Sequence, residues 1–112
     1  MLNSRSIRPS PLPQNDLRKL VDDALAKKAY TYEEAMIETS HAKFDHLDRK
    51  IDVNDVLHGL RKPWKSSRAE TFCKRFWQWH YAIETEDIEG ISLTIIIAVD
   101  VPDRSFEVIT RW

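Results

Sequence analysis

The chain has 112 residues, a formal net charge of −1, one cysteine (Cys73) and two glycines (Gly59 and Gly90). That length makes one domain with a core of its own. A lone cysteine excludes a disulfide framework and a cysteine-rich zinc site, and two isolated glycines exclude a Gly-rich phosphate loop.

The longest apolar run, residues 95–99, is too short to cross a bilayer. Residues 1–15 lack a hydrophobic signal core. Both features lead us to expect a soluble cytoplasmic protein.

Residues 1–15 carry Pro9, Pro11 and Pro13. Alternate prolines fix φ and remove donors, so no helix forms there. This segment reads as a loose, flexible arm, either disordered or lying along the domain, ahead of a single domain, residues 16–112. Residues 16–29 form the clearest helix. Asn15 or Asp16 can cap it, Leu17, Leu20, Val21, Ala24 and Leu25 share a face, and Lys27 and Lys28 suit its C-terminal dipole. In residues 30–39, Thr31 with Glu34 suits a capping box. Tyr30, Tyr32 and Ala35-Met36-Ile37 suit a brief strand, the reading favoured here.

Residues 40–50 predict a second helix, capped by Ser40, with His41, Phe44, Leu47 and Asp48 on one face. Residues 52–60 predict a third, capped by Asp52, with Val53, Val56, Leu57 and Leu60 on its apolar side. Pro63 forbids continuation. Residues 61–71 read as a basic loop carrying Trp64.

Three strands follow, 73–83, 91–100 and 105–112, joined by an acidic loop at 84–90 and a turn at 101–104. Short connections make them an antiparallel meander. In the first strand Arg75, Trp77, Trp79, Tyr81 and Ile83 share one face, opposite Lys74, Phe76, Gln78, His80 and Ala82. The second is apolar on both faces, the mark of a central strand. The expected fold is α+β, with N-terminal helices packed on a C-terminal antiparallel sheet of three to four strands.

Chemistry-bearing motifs are few. His41, His46, His58 and His80 show no zinc spacing, so neither metal nor cofactor is expected. Within residues 61–75, Arg61, Lys62, Lys65, Arg68, Lys74 and Arg75 face only Glu70. Such a patch can bind phosphates or can be a solvated loop. Lys62, Trp64, Lys65, Arg68 and Lys74 are the candidate nucleic-acid contacts. Metal-free ribonuclease chemistry needs a base for the ribose 2′-OH, an acid for the leaving oxygen and cations for the phosphorane. Arg75 and Arg111 can supply the cations, and His80 or Tyr81 the acid or base. Neighbouring strand residues point to opposite faces, so only one of that pair can serve. We favour His80, because Tyr81 continues the aromatic row. Aromatic rings also stack splayed bases, although aromatics on a strand face more often belong to a core, the reading favoured for Trp77 and Trp79.

The segments Ser40-His41-Ala42, Arg49-Lys50-Ile51, Asp55-Val56 and Leu60, and the ending Val108-Ile109-Thr110-Arg111-Trp112, resemble a bacterial family of unknown function. Tyr81-Ala82-Ile83-Glu84 with Asp87-Ile88-Glu89-Gly90 is also similar. The leading helix resembles that of MqsR-type toxins. Both groups resemble the RelE/ParE superfamily, with the BrnT toxins. That resemblance implies a toxin-like, metal-independent RNA endonuclease working on RNA or the ribosome and paired with a cognate antitoxin. It also implies roles for His41 and Arg49. Asp45 stands where the family has its first arginine after His-Ala. A non-catalytic protein-binding module on the same fold is the alternative, with the aromatic strand or the acidic loop as its contact.

Overall fold

The computed structural model describes residues 8–32 and 51–112. The elements in chain order are α1 (Gln14–Lys27), β1 (Tyr30–Thr31), α2 (Val53–Arg61), β2 (Ser66–Cys73), β3 (Gln78–Glu86), β4 (Ser92–Asp100) and β5 (Ser105–Arg111). The fold is α+β. The helix expected over 40–50, with His41 and Arg49, lies outside the described residues.

The strands form one five-stranded sheet in the order β1-β5-β4-β3-β2. β2 to β5 pair antiparallel with their chain neighbours. β1 runs parallel to β5, with Tyr30 opposite Phe106, so the sheet is mixed. The sheet has five strands where three to four were expected: β1 falls within residues 30–39, read as a brief strand, and β2 at the opposite edge is the strand not anticipated. β2 occupies much of the stretch read as a basic loop. Its sequence, Ser-Ser-Arg-Ala-Glu-Thr-Phe-Cys, hides the strand because an edge strand keeps little apolar surface. The expected strand 73–83 is in fact the end of β2, a turn at 74–77, and the start of β3. Glu84, Thr85 and Glu86 belong to β3, so the acidic loop is shorter than expected.

α1 begins at Gln14 after Pro13, with no side-chain cap, and places Asp16 in its first turn. α2 has the expected Asp52 cap, as a reciprocal capping box with Asp55. Both helices lie on one face of the sheet. Their buried residues, Leu17, Leu20, Val21, Ala24, Val56 and Leu60, meet Tyr81, Ile83, Leu93, Ile95, Ile97 and Val108 in one core. The central strand β4 is apolar on both sides, as expected. Burial of each large aliphatic side chain there stabilises the fold by about 1.5–3 kcal/mol.

Residues 8–13 lie along the domain, the second of the two expected arrangements of the arm. Arg8, Ser10 and Leu12 each precede a proline, which pushes them toward extended backbone. Pro13 sits at φ −57°, ψ 154°, polyproline II values. The Trp79 indole Nε1 donates to the Pro9 carbonyl at 2.8 Å, and the Leu12 amide donates to the Tyr81 hydroxyl oxygen at 2.9 Å. Among the described residues, no helix is long and apolar enough to cross a membrane.

Candidate binding surface

The four residues expected to form a nuclease centre occupy four settings. Arg75 lies in the exposed turn 74–77, with its guanidinium 5.2 Å from the Phe76 ring centroid. His80 stands opposite Thr71 on β2 and Ala98 on β4, on the sheet face turned away from the helices. Tyr81 points to the helix side, 3% exposed. A bulge between Ile96 and Ile97 breaks the β4–β5 register, so Arg111 pairs with Ile95 and shares the helix-side face. There its Nη2 donates to the Ile51 carbonyl at 3.1 Å. His80 and Arg111 thus stand on opposite faces of the sheet. The structure does not bring Arg75, His80, Tyr81 and Arg111 together.

Burial of the His80 ring lowers its pKa below the usual histidine value, and the charge of nearby Glu107 partly opposes this. Burial also raises the Tyr81 phenol, partly offset by the Leu12 amide.

The expected phosphate contacts are largely neutralised. Lys62 pairs with Glu86, and Lys65 lies 3.6 Å from the same carboxylate. Arg68 pairs with Glu70 at 3.0 Å and Glu84 at 3.4 Å. The hydrogen bond and charge of Lys62 hold the Glu86 carboxyl below its usual pKa. Glu84 and Glu86, expected in a separate acidic loop, therefore sit on β3, beside the cations of β2 and of the segment leading into it. Trp64 is committed as well: its Nε1 donates to the Leu60 carbonyl at 3.0 Å, and the Arg18 guanidinium lies 4.6 Å over its ring.

A different group does converge. The β2–β3 hairpin gathers Phe72, Phe76, Trp77 and Trp79 at one end. Phe72 meets Trp77 edge-on at 5.0 Å and Trp79 at 5.2 Å between centroids. Trp77 is held at φ 54°, the left-handed region that bulky residues avoid. Its ring contact with Phe72 helps to offset that strain. Phe76 is 62% exposed. Lys74 and Arg75 beside it have no carboxylate within ion-pair distance among the described residues. Between this cluster, the arm and the β4–β5 turn runs a groove of about 330 Å³, walled by Phe76, Trp77, Trp79, Tyr81, Pro9 and Val101.

Sequence reasoning placed Trp77 and Trp79 in the core and passed over Arg8, Pro9, Phe72 and Phe76. The available signal was the pairing of an alternating-proline segment with an aromatic run. Among the described residues, no group of three or more His, Cys, Asp or Glu side chains is placed to hold a metal ion. No family model, curated protein or solved structure matches the chain.

Proposed function

We propose that the chain is a non-catalytic protein-binding module that engages its partner through the aromatic end of the β2–β3 hairpin. The observation that carries this reading is the exposed Phe76 on the rim of an aromatic groove, beside Lys74 and Arg75, which have no carboxylate partner among the described residues. Exposed aromatics beside cations are the side chains that anchor protein interfaces.

The toxin-like alternative is a RelE/BrnT-type RNA endonuclease held by an antitoxin. It has less support, because an acid, a base and phosphate clamps must reach one phosphodiester. Here His80 and Arg111 lie on opposite sheet faces and Arg75 lies in the β2–β3 turn.

A photo-crosslinking residue at position 76 in the native host tests the proposal. A protein adduct is expected, together with no cleavage of labelled RNA by the purified chain in the presence of chelator. Crosslinking to RNA, or cleavage leaving cyclic phosphate ends that His80→Ala or Arg111→Ala abolishes, would replace this reading with the nuclease one.

A further inference from the structure

We propose that the aromatic end of the β2–β3 hairpin is a receptor for a proline-rich segment of a partner protein, and that the chain's own residues 8–13 hold this receptor as a competing internal ligand. The proposal rests on the protein-binding reading and names the chemistry of its partner.

The internal ligand is residues 8–13 of the chain itself. Its sequence is Arg-Pro-Ser-Pro-Leu-Pro. Prolines at alternate positions set φ near −65°, and each preceding residue is pushed toward extended backbone, so the segment is preformed as polyproline II. A preformed extended segment loses little conformational entropy on docking, which is why aromatic grooves select such ligands.

The receptor supplies the matching groups. Proline carbonyls are strong acceptors with no amide of their own residue to satisfy, and the Trp79 indole donates to that of Pro9 at 2.8 Å. Leu12 is a non-proline position whose amide is free to donate, and the Tyr81 hydroxyl accepts it at 2.9 Å. The guanidinium of Arg8 lies 4.4 Å from the Phe72 centroid and 5.8 Å from that of Trp79, a cation–π seat for the basic end of the ligand. A donor, an acceptor and a cation seat are thus read off in register along six residues.

The internal segment also leaves the aromatic rim uncovered. Phe76 remains 62% exposed, and the groove of about 330 Å³ runs between the segment and the rings. A partner segment carrying the same Arg-Pro-x-Pro-x-Pro pattern can make the three contacts of the internal arm and bury Phe76 in addition. The internal segment therefore sets an affinity threshold. The apparent dissociation constant for an external ligand is its intrinsic value divided by the fraction of molecules with the arm detached.

The test uses the full chain and a synthetic peptide of sequence Arg-Pro-Ser-Pro-Leu-Pro with free flanks. Binding is followed by titration calorimetry in every variant, and release of the arm by the Trp79 indole N–H resonance where Trp79 is present. Pro9→Gly with Pro11→Gly loosens the arm while leaving Pro13 and the start of α1 untouched. Retention of the remaining amide spectrum shows that the fold is kept, and a solvent-exchanging Trp79 N–H shows that the groove is free. The peptide should bind this variant at least about tenfold more tightly than the parent chain, as expected when a dominant closed state is removed. Trp79→Phe in the loosened background should abolish the gain, and a peptide with glycine for proline should not bind. A free Trp79 N–H without peptide binding would overturn the proposal, as would self-association of the loosened variant in place of peptide binding. Either result leaves the RNA and crosslinking tests of the broader protein-binding reading unaffected.

Discussion

The hydroxyl of Thr85 on β3 donates to the Gly59 carbonyl on α2 at 2.8 Å, and a Cβ built on Gly59 would lie 2.7 Å from the Thr85 methyl. The same Cβ would stand 3.0 Å from the Glu86 carbonyl oxygen. Glycine is thus required here for close approach of helix to strand. In an exposed helix, Gly→Ala gains up to about 1 kcal/mol. Overpacking costs about 1–3 kcal/mol, so Gly59→Ala should be net destabilising. Thr85→Ser removes the clashing methyl and keeps the hydroxyl. In denaturant unfolding, Thr85→Ser should recover part of the Gly59→Ala loss. Independent, additive effects would show that the two residues do not meet as described.

Ile95 and Ile97 are each 0% exposed in the central strand. Truncation of either to Ala should cost about 2–5 kcal/mol, because the removed methyls leave a cavity that a sheet flanked by two strands cannot close. Ile96 faces the other side of β4, so Ile96→Ala should cost less. Equal losses at 95, 96 and 97 would contradict the strand register.

The helices and the central strand were legible because their signals are local. α1 shows its apolar stripe, α2 has a capping residue and a bounding proline, and β4 is apolar on both faces. The hairpin between β2 and β3 was not legible. Its turn, Lys74-Arg75-Phe76-Trp77, contains none of the Gly, Asn or Pro residues that usually mark one, and it places a tryptophan at positive φ. The aromatic run therefore read as one long strand. That misreading put Arg75 and Trp77 on a sheet face with Tyr81, whereas they belong to a loop tip. The bulge between Ile96 and Ile97 likewise has no sequence mark, yet it decides that Arg111 shares the face of Ile95. The charge pattern misled for a related reason. Cations and carboxylates separated along the chain are cross-strand neighbours once Ser66 pairs with Glu84.

That pairing makes a prediction for RNA. Lys62, Lys65 and Arg68 already neutralise Glu84 and Glu86, so few counterions remain to be released on phosphate binding. The full chain should show little RNA binding at physiological salt. The triple variant Lys62→Ala, Lys65→Ala and Arg68→Ala should leave any residual salt slope unchanged. A slope that flattens in the triple variant, measured by filter binding across salt concentrations, would restore the patch as a phosphate site.

The last prediction concerns pH. Burial lowers the His80 pKa below its ordinary value, and Glu107 opposes the shift without reversing it. When the pH falls below about 6.5, the unfolded chain takes up a proton on this ring before the folded chain does. The unfolded state then binds more protons, so stability declines as the solution is acidified. The contribution of His80 is complete above its unfolded pKa and is lost as pH falls toward the lower folded value. Thermal unfolding at about pH 7.5 and about pH 5.5, on either side of the ordinary histidine range, should therefore show a drop in melting temperature. His80→Gln should make that drop smaller. Glu107→Gln removes the one charge that favours the protonated ring, so it should make the drop larger. Other titrating groups are common to the wild type and His80→Gln, and the difference between these two isolates this ring. An identical drop in the wild type and His80→Gln would mean that His80 is solvated to the same extent in the folded and unfolded chain, contrary to its position between Thr71 and Ala98 on the sheet.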